Sequence, residues 1–203
     1  MKLLRMKLML ATENHGKLRE MRALLPDDYE IVLPSELGLI LTIEETGETF
    51  EENARIKAKN ACRLSGLPSV ADDSGLCVDA LNGAPGVYSK RFGGEGISDT
   101  QRNVLLLKKL AHREQRSAKF VSVIVCCLPN GDEITAHGEC GGEITYKQRG
   151  ENGFGYDPIF FVPELERTMA EISPKEKNEI SHRGVSIRIF SEKLKEYMEE
   201  KGL

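Results

Sequence analysis

A lysine falls on the apolar face of a predicted helix, where a charge needs a partner. A capping box that begins at Thr49 predicts a helix running to about Ser65. At about 100° per residue, Lys57 lies inside the apolar arc formed by Phe50, Ala54, Ala58, Ala61 and Leu64. Asn53 precedes Lys57 by one turn, so both side chains could reach one phosphate. A lysine whose stem packs while its ammonium reaches water explains the position equally well.

Acidic residues before this helix and further along the chain could bind a hard cation. Glu44 and Glu45 precede the helix, and the adjacent Asp72 and Asp73 are followed by a serine and a glycine. Carboxylate oxygens are ligands that Mg²⁺ accepts. Ionised carboxylates are rarely buried unpaired, so we expect the two aspartates in an exposed acidic turn. A turn without chemistry is the alternative.

The segment Thr12–Lys17 is predicted to lie between a strand and the start of a helix. Unpaired backbone N–H groups and the helix dipole favour an anion there, such as a phosphate. Lys17 in the first turn opposes the dipole, which a bound anion would explain, and an ordinary solvated lysine explains it equally well. The segment lacks the GxxxxGK[ST] pattern of a Walker A loop.

Two further groups near the end of the chain could contact a planar, oxygen-bearing ligand. The segment Gly153–Pro158 contains two aromatic residues among glycines, beside a carboxylate, which suits stacking on a ring. Lys177, His182 and Arg183 precede the last predicted helix. They form either a solvated basic turn or a set of donors to carbonyl or phosphate oxygens.

Hydrophobic periodicity predicts the elements that must hold these residues. The predicted strands are Leu3–Ala11, Tyr29–Leu33, Ser69–Ala71, Leu76–Leu81, Ala118–Leu128, Glu133–Tyr146 and Ile159–Val162. The predicted helices are Lys17–Leu25, Thr49–Ser65, Ser98–Leu110 and Arg183–Glu200. Asn130 and Gly131 predict a hairpin turn. We therefore expect one α/β domain over residues 1–203 with a mixed sheet. Met6 offers a second start, which would make residues 1–6 an extension.

Composition argues against several partners. The chain has 203 residues, 28 Lys plus Arg and 32 Asp plus Glu, with a net charge of −4. Without a basic stripe, nucleic acid is not an expected partner. The longest apolar runs are too short for a signal peptide or a membrane span, so no membrane association is expected. The five cysteines are odd in number and lack CxxC spacing, which favours reduced thiols and a cytoplasmic location.

Five blocks of sequence together resemble the inosine triphosphate pyrophosphatase family. They are LATENHGK, EETGETFEENARIKA, ADDSGLCVDALNGAPGVYSKRF, GFGYDPIF and SHRG. The resemblance implies hydrolysis of ITP, dITP and XTP, which are non-standard purine nucleotides, to the monophosphate and pyrophosphate with Mg²⁺ as cofactor. It also implies an elongated mixed α/β fold with flanking helices, two lobes around a central nucleotide-binding cleft, and a homodimer.

The resemblance also assigns roles to residues of this chain. Glu45 and Asp73 would be Mg²⁺ ligands, and Asp73, Lys17 and Lys57 would be catalytic. The substrate would be contacted by Thr12, Glu13, Asn14, His15, Gly16, Lys17, Asn53, Lys57, Ser74, Phe154, Gly155, Tyr156, Asp157, Lys177, His182 and Arg183. The sequence leaves open whether Asp73 deprotonates water or only holds the metal.

The residues near the end of the chain also bear on base selection. Donors near Lys177, His182 and Arg183 would donate hydrogen bonds to a 6-oxo group, whereas the amino group of adenine would leave them unpaired. A pyrophosphatase of the Maf type, acting on pyrimidine nucleotides, is one alternative. A nucleotide sensor that binds without turnover is the other.

Overall fold

The computed structural model describes residues 6–202, which form a seven-stranded mixed sheet with flanking helices. The strands are β1 (Met6–Leu10), β2 (Tyr29–Val32), β3 (Ser69–Val78), β4 (Ser117–Cys127), β5 (Glu133–Ile144), β6 (Phe160–Val162) and β7 (Arg167–Thr168). The α-helices are α1 (His15–Leu24), α2 (Phe50–Ser65), α3 (Asp99–Lys109), α4 (Pro174–Ile180) and α5 (His182–Lys201). The strand order is β2-β1-β3-β4-β5-β6-β7. Strand β1 pairs in parallel with β2 and β3, whereas β6 pairs antiparallel with β5 and β7. The predicted mixed α/β fold is confirmed.

The described chain divides into two compact units, each with its own hydrophobic core. The first unit contains the described residues up to Asp73, Ser122–Gly138 and the described residues from Arg183 onward. Its core includes Leu8, Leu10, Met21, Ile124, Ile187, Phe190 and Leu194. The second unit contains Ser74–Val121 and Glu139–His182. Its core includes Leu76, Leu106, Phe120, Ile144, Ile159 and Phe160. A single domain over 1–203 stays a prediction.

Local capping fixes the helices that carry site residues. Thr49 caps α2 and forms the predicted reciprocal box with Glu52, and Gly66 ends the helix at φ 68°. Ser98 caps α3 in the same way. Helix α1 begins two residues earlier than predicted, because the Asn14 side chain accepts from the amides of Gly16 and Lys17 and so starts the helix at His15.

Some short elements were not predicted. Strand β7 has two residues, and α4 follows a capping box of Ser173 with Glu176, with Pro174 in its first turn. The proposed extension 1–6 falls almost entirely outside the described residues. Among residues 6–202, no helix combines the length and apolar character needed to cross a membrane.

Strand β3 overturns the prediction of an exposed acidic turn. Residues 69–78 form one continuous strand, and Asp72 and Asp73 within it are only 3% and 8% exposed. Asp72 can be buried because its Oδ2 lies 3.0 Å from Lys17 Nζ and 3.1 Å from Arg183 Nε. The prediction failed because it assumed that the two carboxylates lack partners. Unpaired carboxylates do avoid the interior, but Asp72 and Asp73 are paired with cations.

The surroundings of Asp72 keep it ionised. Burial opposes the charge, but Lys17 and Arg183 outweigh burial and hold the pKa of Asp72 well below its usual range. Arg183 Nη1 also lies 2.7 Å from Glu20 Oε2. Both side chains of the Asp72–Arg183 pair are almost fully buried, so each charge depends on the other for its solvation.

We expect Asp72→Asn to lower the free energy of unfolding by about 3–5 kcal/mol, because it leaves Lys17 and Arg183 as incompletely compensated buried charges. Urea denaturation at neutral pH measures this change. Asp27→Asn is the matched control, since Asp27 is exposed and its loss should change stability by less than about 0.5 kcal/mol. Equal effects of the two substitutions would contradict the assigned role of Asp72.

Candidate active site

The ammonium group of Lys57 joins three parts of the first unit. Its Nζ lies 2.9 Å from Glu45 Oε1, 2.9 Å from Asp73 Oδ1 and 2.9 Å from the backbone oxygen of Asp72. The Lys57 side chain is 12% exposed. Lys57, on the apolar face of α2, therefore pairs with the carboxylates of Glu45 and Asp73. The alternative, a lysine whose ammonium reaches water, is wrong.

The start of α2 brings Glu45 to Lys57. Asn53 is fully buried, and its Oδ1 accepts a hydrogen bond of 2.8 Å from the amide of Gly47. A Cβ at Gly47 would lie 2.7 Å from Glu52 Cβ and 2.9 Å from Asn53 N, so only glycine fits this close approach. Asn53 thus fixes the segment that carries Glu45. Its predicted contact with phosphate stays a prediction.

The two carboxylate oxygens of Asp73 differ in their contacts. Its Oδ1 pairs with Lys57, whereas its buried Oδ2 has no hydrogen-bond partner among residues 6–202. Burial raises the pKa of Asp73, and Lys57 offsets that effect only in part. Such an oxygen can accept a proton or bind a cation.

In the predicted anion-binding segment Thr12–Lys17, a side chain of the segment already binds two of the backbone N–H groups. Asn14 Oδ1 accepts from the amides of Gly16 at 2.8 Å and Lys17 at 3.2 Å, so the helix cap already uses these two donors. Thr12 Oγ1 accepts from Asn14 N at 3.1 Å, and the side chains of Glu13 and His15 are exposed. Burial lowers the pKa of Lys17, although Asp72 opposes the effect.

In the second unit, a lysine, a carboxylate and an aromatic ring come together. Lys177 of α4 is buried, and its Nζ donates to Asp157 Oδ2 at 2.6 Å and lies 4.6 Å from the centre of the Phe154 ring. The Phe154 amide donates to the same Asp157 oxygen at 2.8 Å. The reading of Lys177 as part of a solvated basic turn is wrong, because it lies in a helix and is paired.

Three other predicted contact residues have structural partners. Tyr156 is 5% exposed, and its hydroxyl donates to Ser89 O at 2.8 Å within the second core. His182 is equally buried, and its ring stacks on Phe120 with a centroid distance of 4.7 Å. The guanidinium of Arg183 is bound by Asp72 and Glu20. Ser74 and Gly155 are partly exposed, and their substrate contacts stay predictions.

Glu20 is the residue that sequence reasoning missed in the first unit. It follows Lys17 by about one turn of α1 and contacts Arg183, which is 163 residues away in sequence. The spacing of Lys17 and Glu20 places both on one helix face, which is the only local sign that Glu20 belongs to this group. No nearby residue indicates its pairing with Arg183. Among the described residues, no group of three or more His, Cys, Asp or Glu side chains is arranged to hold a metal by itself.

Comparison with known proteins places this chain in a family. Residues 8–193 match the sequence model of the Ham1 family. A dITP/XTP pyrophosphatase from Haemophilus influenzae is 50% identical over 196 residues, which cover 94% of this chain and 100% of that protein. A dITP/XTP pyrophosphatase from Staphylococcus epidermidis is 48% identical over 192 residues, covering 95% and 96%.

Solved structures agree with the sequence comparison. The Ham1 protein of Staphylococcus aureus is 43% identical with a TM-score of 0.87, covering 94% of this chain and 99% of that one. A HAM1 protein from Coxiella burnetii is 46% identical with a TM-score of 0.88 at the same coverage. The family match, the relatives near 50% identity and the shared fold show that this chain belongs to the Ham1 family.

Proposed function

We propose that this chain is a pyrophosphatase for non-standard purine nucleoside triphosphates, converting dITP, XTP and ITP to the monophosphate and pyrophosphate. The observation that carries the proposal is the identity of about half of all residues, over nearly the whole chain, with proteins named dITP/XTP pyrophosphatase. The Lys57, Glu45 and Asp73 arrangement supports it, because a triphosphate and an attacking water need both cationic and carboxylate groups.

In the proposed reaction, water attacks the α-phosphorus and pyrophosphate leaves. A new bond forms between phosphorus and the water oxygen, and the bond to the bridging oxygen breaks. Such phosphoryl chemistry depends mainly on positioning and on stabilising negative charge. Lys17 and Lys57 supply positive charge, and both are held in place by buried carboxylates.

Asp73 is the proposed proton acceptor. Its Oδ2 has no hydrogen-bond partner among the described residues, and burial raises its pKa. A base whose pKa is closer to the working pH takes a proton from water more effectively than an exposed aspartate. The contact of Oδ1 with Lys57 keeps the carboxylate oriented.

The same carboxylates suit a Mg²⁺ ion. Protein sites for Mg²⁺ often use one or two carboxylates, and water and substrate phosphates complete the coordination. Glu45 and Asp73 provide two, and the unpartnered Oδ2 of Asp73 offers an oxygen atom. When bound, Mg²⁺ would neutralise charge on the phosphate oxygens.

Phe154 and Lys177 provide groups suited to a base. The Phe154 ring offers a stacking surface, and Lys177 Nζ beside it is a hydrogen-bond donor. We propose that the donors of this group donate hydrogen bonds to the 6-oxo oxygen of hypoxanthine or xanthine. The 6-amino group of adenine cannot accept from these donors, and an unpaired buried donor is costly.

The family resemblance also leads us to propose a homodimer in the cytoplasm. Light scattering of the purified protein should then give about twice the chain mass of 22.6 kDa. A mass equal to one chain would contradict the dimer.

We expect dITP, ITP and XTP to be hydrolysed with Mg²⁺ at kcat/KM values at least about a hundredfold above that of dATP, because hydrogen-bond mismatches discriminate strongly. Product analysis should show monophosphate and pyrophosphate, and chelation of Mg²⁺ should abolish turnover. Release of diphosphate and phosphate would overturn attack at the α-phosphorus. Faster turnover of dTTP or UTP would favour a pyrimidine enzyme of the Maf type.

We expect Asp73→Asn to reduce kcat by about a hundredfold or more, because the variant loses the ionised carboxylate that accepts the proton or binds the metal. Steady-state kinetics with dITP measures the loss, and circular dichroism checks the fold. Asp27→Asn, which changes an exposed aspartate, should retain full activity. Near-normal turnover by the Asp73 variant would refute its catalytic role.

A further inference from the structure

Two polar side chains of α3 hold the glycine that follows Phe154. The Gly155 amide donates to Asp99 Oδ2 at 2.8 Å, and the Gly155 carbonyl accepts from Asn103 Nδ2 at 3.0 Å. Asp99 and Asn103 are four residues apart and therefore share one face of the helix. One helix face thus binds both backbone polar groups of a single glycine more than 50 residues away.

These contacts fix the backbone around Phe154. The Phe154 amide is bound by Asp157 at 2.8 Å, and the next amide in the chain is bound by Asp99. Gly155 has φ +63°, yet a Cβ there would meet no atom within 4 Å, so the glycine is needed for its conformation rather than for space. The hydrogen bonds from α3 hold that left-handed conformation and, with it, the direction of the Phe154 side chain.

Asp99 is itself oriented by a neighbour. Its Oδ1 pairs with Arg102 Nη1, and Arg102 Nη2 donates to Ile97 O at 3.2 Å. The Arg102 side chain is 10% exposed, whereas that of Asp99 is 53% exposed. A mostly buried arginine therefore directs an accessible carboxylate toward Gly155. An acidic residue in the first turn of a helix interacts favourably with the helix dipole, but this effect does not explain why Asp99 contacts Arg102 and Gly155.

Asn103 is present despite a cost in stability. It is 1% exposed, its Nδ2 lies 3.3 Å from Gln148 Oε1 as well as near Gly155 O, and its Oδ1 has no hydrogen-bond partner among the described residues. A buried unpaired acceptor destabilises the folded state. An apolar residue would avoid this cost but could not hold Gly155.

From this arrangement we infer that Asp99 and Asn103 are positioning residues for the purine base of the substrate. They act through Gly155 on the Phe154 ring and touch neither the base nor the phosphates. The inference rests on the proposed function, because it assumes that the base stacks on Phe154. It assigns α3 to substrate affinity, whereas Lys57, Glu45 and Asp73 determine turnover.

The test compares Asp99→Ala and Asn103→Leu with Thr100→Ala, a control at an exposed position of the same helix. We expect the first two to raise KM for both dITP and XTP about tenfold, because base–aromatic stacking carries much of the affinity. Their kcat should stay within about twofold of the parent enzyme. Asp99→Asn keeps an oxygen acceptor for the Gly155 amide and should restore KM to near the parent value.

Hydrogen exchange of the Gly155 amide provides a readout independent of activity. Exchange should become faster in Asp99→Ala and remain slow in Thr100→Ala, and Asp99, being exposed, can be replaced without disrupting the core. Faster exchange with an unchanged KM would overturn the inference alone, as would a fall in kcat at constant KM. A parent enzyme that hydrolyses neither dITP nor XTP would instead overturn the proposed function, and the positioning role with it.

Discussion

The burial of two carboxylates in β3 is the constraint that the first unit must satisfy. Removing an ionised carboxylate from water is costly unless cations and hydrogen bonds replace the lost solvation. Asp72 is compensated by Lys17 and Arg183, and Asp73 by Lys57. These cations come from α1, α2 and the start of α5. The charges of one strand therefore constrain where three helices can lie, in addition to their apolar packing.

The second unit also contains a buried carboxylate that needs a compensating cation. Asp157 is 2% exposed and accepts from both Lys177 Nζ and the Phe154 amide through one oxygen. One buried carboxylate thus fixes a cation and an aromatic ring together. Contacts from α3 to Gly155 constrain the following residue. The backbone of the aromatic segment is therefore held by hydrogen bonds where it is partly exposed, which suits a surface for a planar ligand.

Features set by neighbouring residues could be predicted from the sequence. The capping boxes at Thr49 and Ser98 mark the starts of α2 and α3 because their hydrogen bonds span only three residues. Lys57 was recognised as anomalous because helix periodicity alone places it among apolar residues. Five separated blocks of sequence indicate the family, because their joint occurrence is specific where each block alone is weak.

Features that depend on distant partners could not be predicted. Asp72 and Asp73 were interpreted as a turn because Asp, Ser and Gly favour turns, whereas Arg183 lies 111 residues further along the chain. The helix that carries Lys177 and its pairing with Asp157 could not be predicted, because α4 spans only seven residues, which gives little periodicity. The roles of Tyr156 and Asn53 depend on backbone groups of Ser89 and Gly47, which sequence patterns do not indicate.

The adjacency of Asp72 and Asp73 has a consequence for how β3 pairs with its neighbours. Successive side chains of a strand point to opposite faces of a sheet, so each aspartate meets its own set of cations. A slip of one residue would exchange the faces of all β3 side chains. Because the two aspartates are adjacent, one would then take the place of the other, whereas the second would lose its counter-charge and one set of cations would lack a carboxylate. The alignment of this strand is thus specified by electrostatics as well as by apolar burial, which penalises misfolded pairings that a purely hydrophobic strand would tolerate.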